Sequence, residues 1–280
     1  MYYLLISIIC SVSVASLFKI IKKKNIDVFT VIQFNYLLAI VFCYFIFDSN
    51  YYSLKSYSNH YSIYTLLGIL LPVLFLILNK SIQEVGIIKT DIAQRFSLII
   101  PILISVFFWN QSLSNSILSG LIIGFIAIGM ILYKKNDLTV KSYLSPILVL
   151  LGYGFVDVLF KKVALIQNIP YTSSLLIIFT IAFVLSGFIS IFRKNKNRLN
   201  KETLIWGILL GSLNFTNIYT YIKAHQILKD NPAVVFSTMN FGVIILSTFV
   251  GYLFFKENIN KLNTIGIIFA LLSIFLITLF

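Results

Sequence analysis

Ten apolar stretches, each close to the length of a membrane-spanning helix, follow one another along this chain and leave little between them. They run Tyr3–Ile21, Val28–Phe47, Ile63–Leu78, Ile87–Trp109, Ile117–Tyr133, Tyr143–Val163, Tyr171–Phe192, Leu204–Ile222, Ala233–Phe255 and Leu262–Phe280. Roughly 17–25 apolar residues carry a helix across the hydrocarbon core. Barrel strands would be about 10 residues long with alternating in/out character, and that alternation is absent. The composition agrees, with 59% of the residues hydrophobic and 11% charged, against about 45–50% and 25% in a soluble domain. The expected fold class is all-α: a polytopic membrane protein with ten transmembrane helices. The longest connections, Asp48–Ser62 and Arg193–Thr203, leave no room for a soluble domain between spans.

A formal net charge of +13 would suit a nucleic-acid binder, but the basic residues sit in short loops between apolar spans. That is the membrane pattern rather than a basic face on a folded domain, so nucleic acid is not an expected partner. Cys10 and Cys43 both fall inside apolar spans and offer no disulfide framework or thiolate metal site. MYYLLISIICSVSV has no basic region ahead of its apolar run and reads as a retained first span rather than a signal peptide.

The second half echoes the first in order. Leu67-Gly68-Ile69-Leu70-Leu71 in the third span matches Trp206-Gly207-Ile208-Leu209-Leu210 in the eighth. Leu17-Phe18-Lys19 matches Leu159-Phe160-Lys161, and Trp109-Asn110-Gln111 followed by Gly120 matches Phe255-Lys256-Glu257 followed by Gly266. The expected domains are two five-helix repeats, residues 1–141 and 142–280. Five is odd, so the second repeat enters the membrane from the opposite side. Such inverted-topology repeats are typical of secondary transporters.

Polar residues inside the spans are the candidate site. In Ile87–Trp109 the first half carries Lys89, Asp91, Gln94 and Arg95. Arg95 lies about eight residues, or ~12 Å, into the helix. An ionised group at that depth costs at least about 2.5–3.5 kcal/mol and faces a protein-lined or watery interior. Asp91 and Arg95 are four apart on one helix face. They form either a neutralising pair that orients the helix or the wall of a polar cavity where substrate binds. Aligning the fourth and ninth spans places Arg95 opposite Asn240, and the expected cavity is shared with the Asn214, Asn217 and Tyr221 face.

Lys19, Asp157 and Lys161 form a second set. The lysines, which are repeat mates, either snorkel to the headgroups or take part in ion coupling. Asp157 is too short to reach out and is the better protonatable coupling residue, with Asp91 a further one. In the eighth span Asn214, Asn217 and Tyr221 fall at i, i+3 and i+7, one helix face. They serve either as interhelical hydrogen bonds or as a ligand-facing wall, and Gln33 and Asn35 in the second span pose the same choice. Gly120-x-x-x-Gly124 and Gly266-x-x-x-Ala270 are small-residue motifs for close helix packing or, in a minority reading, a dimer interface. With His60 in a loop and His225 at a span end, no metal-binding or paired-carboxylate motif appears. Nor does a phosphate loop. No cofactor is expected.

The chain resembles the drug/metabolite transporter superfamily, in particular the EamA-like ten-helix transporters. The residues that carry the resemblance are Asp230-Asn231-Pro232-Ala233, the ninth span, Lys256-Glu257 and Gly266. In the first repeat Pro101, Gln111 and Gly120 look like the same pattern, with Gln111 where an acid is usual. Lys19 resembles the lysine that often ends the family's first helix. The resemblance implies transport of small metabolites by alternating access in the plasma (inner) membrane of a bacterium, with both termini in the cytoplasm.

The excess of Lys19, Lys89, Arg95 and Lys161 over Asp91 and Asp157 favours an amino acid or related carboxylate-bearing substrate. A proton or sodium ion is the expected coupling partner, and a monomer or homodimer the expected assembly. A membrane enzyme acting on a lipid-linked substrate and a cationic multidrug exporter are the alternatives. The exporter would want an unpaired membrane acid, and both acids here have a basic residue four positions on.

The basic bias gives the opposite orientation to the family's. Lys22, Lys23, Lys24, Lys80, Lys134, Lys135, Lys141, Arg193, Lys194, Lys196, Arg198, Lys201, Lys256 and Lys261 fall on one side, and Lys55, Lys162, Lys223 and Lys229 on the other. The richer side should be cytoplasmic. A single cysteine placed in the Arg193–Lys201 loop should then escape an impermeant thiol reagent in intact cells. Strong labelling would establish the family's orientation instead.

Overall fold

The structure is a computed structural model that describes residues 1–23, 26–46, 60–85, 87–132, 144–167, 169–192, 200–255 and 261–278. Among them every regular element is helical. In chain order these are α1 Tyr2–Lys23, α2 Val28–Val41 continued by a π-helical turn Phe42–Ile46, α3 Tyr61–Val85, α4 Ile87–Phe96, α5 Ile99–Phe107 and α6 Asn115–Leu132. They are followed by α7 Leu144–Ala164, α8 Tyr171–Phe192, α9 Lys201–Ile227, α10 Pro232–Phe255 and α11 Lys261–Thr278. Val28–Phe45, Tyr61–Leu78, Tyr171–Ser190 and Pro232–Phe254 are long and apolar enough to cross a membrane. Their neighbours include shorter apolar runs, Tyr2–Phe18, Ala93–Phe107, Asn115–Met130 and Lys261–Ile277. α2 begins on Asp27, whose carboxylate accepts from Thr30 Oγ1 at 2.7 Å and Phe29 N at 3.4 Å, satisfying first-turn donors.

Each predicted span holds a helix, but the fourth differs from expectation. The stretch Ile87–Trp109 is not one rod: it is divided at Ser97 and Leu98 into α4 and α5. Pro101 is the cause. It has no N–H to give the carbonyl four residues back, and its ring crowds that carbonyl. The carbonyl belongs to Ser97, which accepts instead from Ile100 N at 3.0 Å. The Ser97 hydroxyl turns the other way and donates to Gln94 O at 2.6 Å. The broken ladder is thus re-satisfied locally, as hydrocarbon surroundings require.

The chain forms two compact units: Met1–Ile8, Leu74–Val158 and Ile227–Phe280 make unit 1, and Ile9–Val73 with Leu159–Gln226 make unit 2. Each draws on both halves of the sequence.

In unit 1, α6 packs along α11. Ser273 Oγ donates to Gly120 O at 2.6 Å, and Asn263 Nδ2 donates to Met130 O at 3.0 Å. The partner number falls as the α6 number rises, so the two helices are antiparallel. Gly120 lies against Ile277, and Gly124 admits the ring of Phe241. Phe241 meets Phe125 edge-on at 6.4 Å, and Phe125 stacks on Phe96 at 5.7 Å. That row joins α10, α6 and α4.

In unit 2, α2 runs parallel to α9 in steps of four. Phe34 packs on Gly207, Leu38 on Gly211, and Phe42 edge-on against Phe215 at 5.4 Å. α3 runs parallel to α8, with Tyr64 Oη and Ser174 Oγ 2.9 Å apart and Gly68 against Ile181. α2 and α8 are antiparallel, because Gln33 lies by Gly187 while Tyr36 stacks on Phe179. Gly68 and Gly207, equivalent in the sequence echo, therefore do the same job on α8 and α2.

A Cβ on Gly68 would come within 2.6 Å of Ile181 Cβ, and one on Gly207 would overlap Phe34 Cβ. A Cβ is fixed to its backbone and cannot yield. Gly68→Val and Gly207→Val should each lower stability by about 1–3 kcal/mol, read as a lower thermal midpoint in detergent. An unchanged midpoint in both would show that the helices are not held this closely.

Candidate functional site

The break between α4 and α5 organises the charged residues of unit 1. Arg95 occupies the last turn of α4, where helix carbonyls present partial negative charge to a cation. α7 lies close against the break because residue 154 is glycine. A Cβ there would stand 2.7 Å from Ile100 Cβ and 2.9 Å from Ser97 O. This approach brings Tyr153 and Asp157, four apart on one face of α7, beside the end of α4. The Tyr153 hydroxyl is within electrostatic range of both the Arg95 guanidinium and the Asp157 carboxylate. Arg95, Tyr153 and Asp157 are all half-buried. An Arg can hold a carboxylate bidentately, a Tyr can donate or accept, and an Asp can carry a proton. Sequence reasoning placed Arg95 and Asp157 in separate sets and missed Tyr153; only the tight packing at Gly154 joins them.

Unit 2 carries a second polar region. Asn214 Nδ2 donates to Asn35 Oδ1 at 3.0 Å, joining α9 to α2. Asn217 is half-buried on the same helix, and Tyr221 is buried with its ring edge-on to His225 at 4.8 Å. Lys161 and His225 are 1% and 0% exposed and lie within electrostatic range of one another. The sequence placed His225 at a span end, whereas α9 continues to Ile227 and takes the imidazole inside. Its i+4 spacing from Tyr221 was the available signal.

The remaining predicted residues are placed individually. Asn240 is half-buried and donates from Nδ2 to Phe236 O of its own helix at 3.0 Å. Gln94 is half-buried, and Gln33 Nε2 is the nearest group to Gly187. The side chains of Asp91, Lys89 and Lys19 lie outside the described residues. A shallow open groove of about 390 Å³ is lined by His60, Ile63, Lys162, Leu165, Ile166 and Gln167, none of them a predicted site residue. Among the described residues no group of three His, Cys, Asp or Glu side chains could hold a metal ion.

Gln111 has a role that its departure from the acid pattern did not reveal. Asn110, at φ 50°, turns the chain, and Gln111 N bonds Ser105 O at 3.0 Å. Its buried Oε1 accepts from Ala233 N at 3.2 Å. Pro232 is the first residue of α10, where a missing N–H is harmless. The amide of Gln111 thus satisfies the next donor of that helix.

Apolar helices, four of them long and apolar enough to cross a membrane, define a multi-pass membrane protein. The EamA-like transporter family matches residues 140–279. An uncharacterized protein of Haemophilus influenzae is 41% identical over 284 residues, covering 98% of this chain and 97% of the other. A solved crystal structure of another protein shares the fold with a TM-score of 0.74 at 10% identity, covering 100% of this chain and 99% of that one. The chain belongs to the EamA-like transporter family, within the drug/metabolite transporter superfamily.

Replacing Gln111 by Leu should remove the cap on α10 and lower stability by about 1 kcal/mol. Gln111→Glu should keep or raise stability, because a carboxylate accepts at a helix N-terminus. Thermal unfolding in detergent reads the difference; equal midpoints in all three proteins would remove the capping role.

Proposed function

We propose that this protein is a secondary active transporter that moves a small polar metabolite, an amino acid or related carboxylate-bearing compound, across a bacterial inner membrane by alternating access. The observation that carries the proposal is the Arg95, Tyr153 and Asp157 cluster beside the broken fourth span. Transporters of this kind place substrate and coupling ions at discontinuous helices near mid-membrane. In this reading Arg95 binds the carboxylate and Gln94 and Asn240 line the approach. Asp157 carries the coupling proton, and Tyr153 links the two charges. Asn214, Asn217, Tyr221 and Gln33 supply polar contacts in unit 2. Lys161, enclosed with His225, is a second coupling group, and Asp91 and Lys19 complete the proposed set.

The ten spans are proposed to form two inverted five-helix repeats, residues 1–141 and 142–280. Three observations support this. Four pairs of repeat mates fall together: spans four and nine with five and ten are in unit 1, and spans two and seven with three and eight mainly in unit 2, while the first and sixth spans are each divided between the units. The fifth and tenth spans are repeat mates and pack antiparallel, as an axis in the membrane plane demands. The family match, residues 140–279, nearly coincides with the second proposed repeat.

Comparative metabolomics of cells with and without the protein identifies the substrate, and uptake into vesicles then measures it. Arg95→Ala should reduce uptake by about 10- to 100-fold, the loss of a charge-assisted hydrogen-bonded contact. Arg95→Lys should fall nearly as far, because an ammonium cannot form the bidentate contact. Both variants should reach the membrane in normal amounts. Normal transport by Arg95→Ala would make Arg95 structural.

A further inference from the structure

Asn35 carries a hydrogen-bonding atom that the described residues leave unused. The residue sits on α2 with its side chain fully enclosed, at 0% exposure. Asn214 bonds its Oδ1 at 3.0 Å, and the Asn35 Nδ2 has no hydrogen-bond partner among the described residues. Exchanging oxygen and nitrogen of both amides reverses the bond and again leaves one atom of Asn35 over, and exchanging only one would break the bond. The geometry is held from behind. Gly211 lies against Leu38 and the Asn35 carbonyl, and Gly207 lies against Phe34. The backbone under Asn35 is therefore clamped to α9.

Asn35 is sealed while Asn214 and Asn217 are half-buried, so the pair is open on the α9 side. No charged residue lies between Asp27 and Asp48 or between Glu202 and Lys223. The neighbouring side chains form an aromatic row, buried at Tyr36, Phe179 and Phe215 and half-buried at Tyr219 and Tyr171: Tyr36 with Phe179 at 6.4 Å, Phe179 with Phe215 at 6.2 Å, Phe215 with Tyr219 at 6.0 Å and Tyr219 with Tyr171 at 5.2 Å.

We propose that Asn35 and Asn214 form a substrate-recognition position that takes an uncharged hydrogen-bonding group, a carbonyl, hydroxyl or amide, of the transported molecule. The apolar part of that molecule packs on the half-buried end of the aromatic row, at Tyr219 and Tyr171. This inference rests on the transporter reading and adds to it a selectivity for a neutral hydrogen-bonding group. A sealed donor without an acceptor disfavours the empty state. Substrate that supplies the acceptor favours the loaded state by its differential contact. A site built around such a bond rejects molecules that lack the group.

The test uses three purified full-length proteins: the wild type, Asn35→Leu and the double variant Asn35→Leu/Asn214→Leu, in which an apolar contact replaces the amide pair. Each is equilibrated with one deproteinised metabolite extract from the same cells, and retained compounds are identified by mass spectrometry. Thermal unfolding confirms which proteins are folded. The wild type should retain compounds bearing a neutral hydrogen-bonding group, and both variants about 10-fold less or lower still, including a double variant that melts like the wild type. Undiminished retention by either variant overturns the inference and leaves the transporter reading standing. If the wild type retains nothing, the transporter reading fails and takes this inference with it.

Discussion

A helix in hydrocarbon has to satisfy its own backbone, and this chain departs from that rule most visibly at Ser97 and Leu98. Pro101 takes away the donor that Ser97 O would use, and Ile100 N and the Ser97 hydroxyl repair the ladder. The rest of the charged site follows from this repair. The break ends α4 just after Arg95, the glycine at 154 lets α7 lie against the Ser97 carbonyl, and α7 then delivers Tyr153 and Asp157. An ionisable residue that would be costly against lipid thus stands in the last turn of α4, within electrostatic range of Tyr153.

The same device, backbone brought close to side chain by glycine, recurs in both units. Gly120 and Gly124 seat α11 and α10 on α6, while Gly68, Gly207 and Gly211 seat α8 and α2 on α3 and α9. Lipid offers helices no hydrophobic reason to associate, so dispersion contacts and interhelical hydrogen bonds have to hold them. Ser273 on Gly120 O, Asn263 on Met130 O and Tyr64 beside Ser174 are such bonds, each at a place where a small residue or a helix end permits the approach.

Much of the fold was legible because the membrane imposes it. Apolar length alone located a helix in each of the ten stretches, four of them long and apolar enough to cross a membrane, and the order of the echoed segments pointed to glycines that share a packing role. The break was less legible. Pro101 was visible, but a proline bends or divides a helix according to what packs against it, and Gly154 lies more than fifty residues away. Joining Arg95 to Asp157 needed the same tertiary contact. Hydropathy stopped the eighth span at Ile222, short of Lys223, His225 and Gln226, so a buried imidazole passed for a residue at a span end. Asn35 and Asn214 were both noticed, but their pairing rests on the parallel packing of α2 and α9, which spacing within one helix cannot show.

The central claim is that the residues beside the break couple a charge to movement of a substrate. Proteoliposomes test it most directly, with the metabolite identified in cells supplied as a labelled compound. The account predicts that the wild type both exchanges the compound across the membrane and accumulates it under an imposed ion gradient. Asp157→Asn should keep the exchange but lose the accumulation. Wild-type accumulation by Asp157→Asn would contradict the assignment of coupling to this cluster.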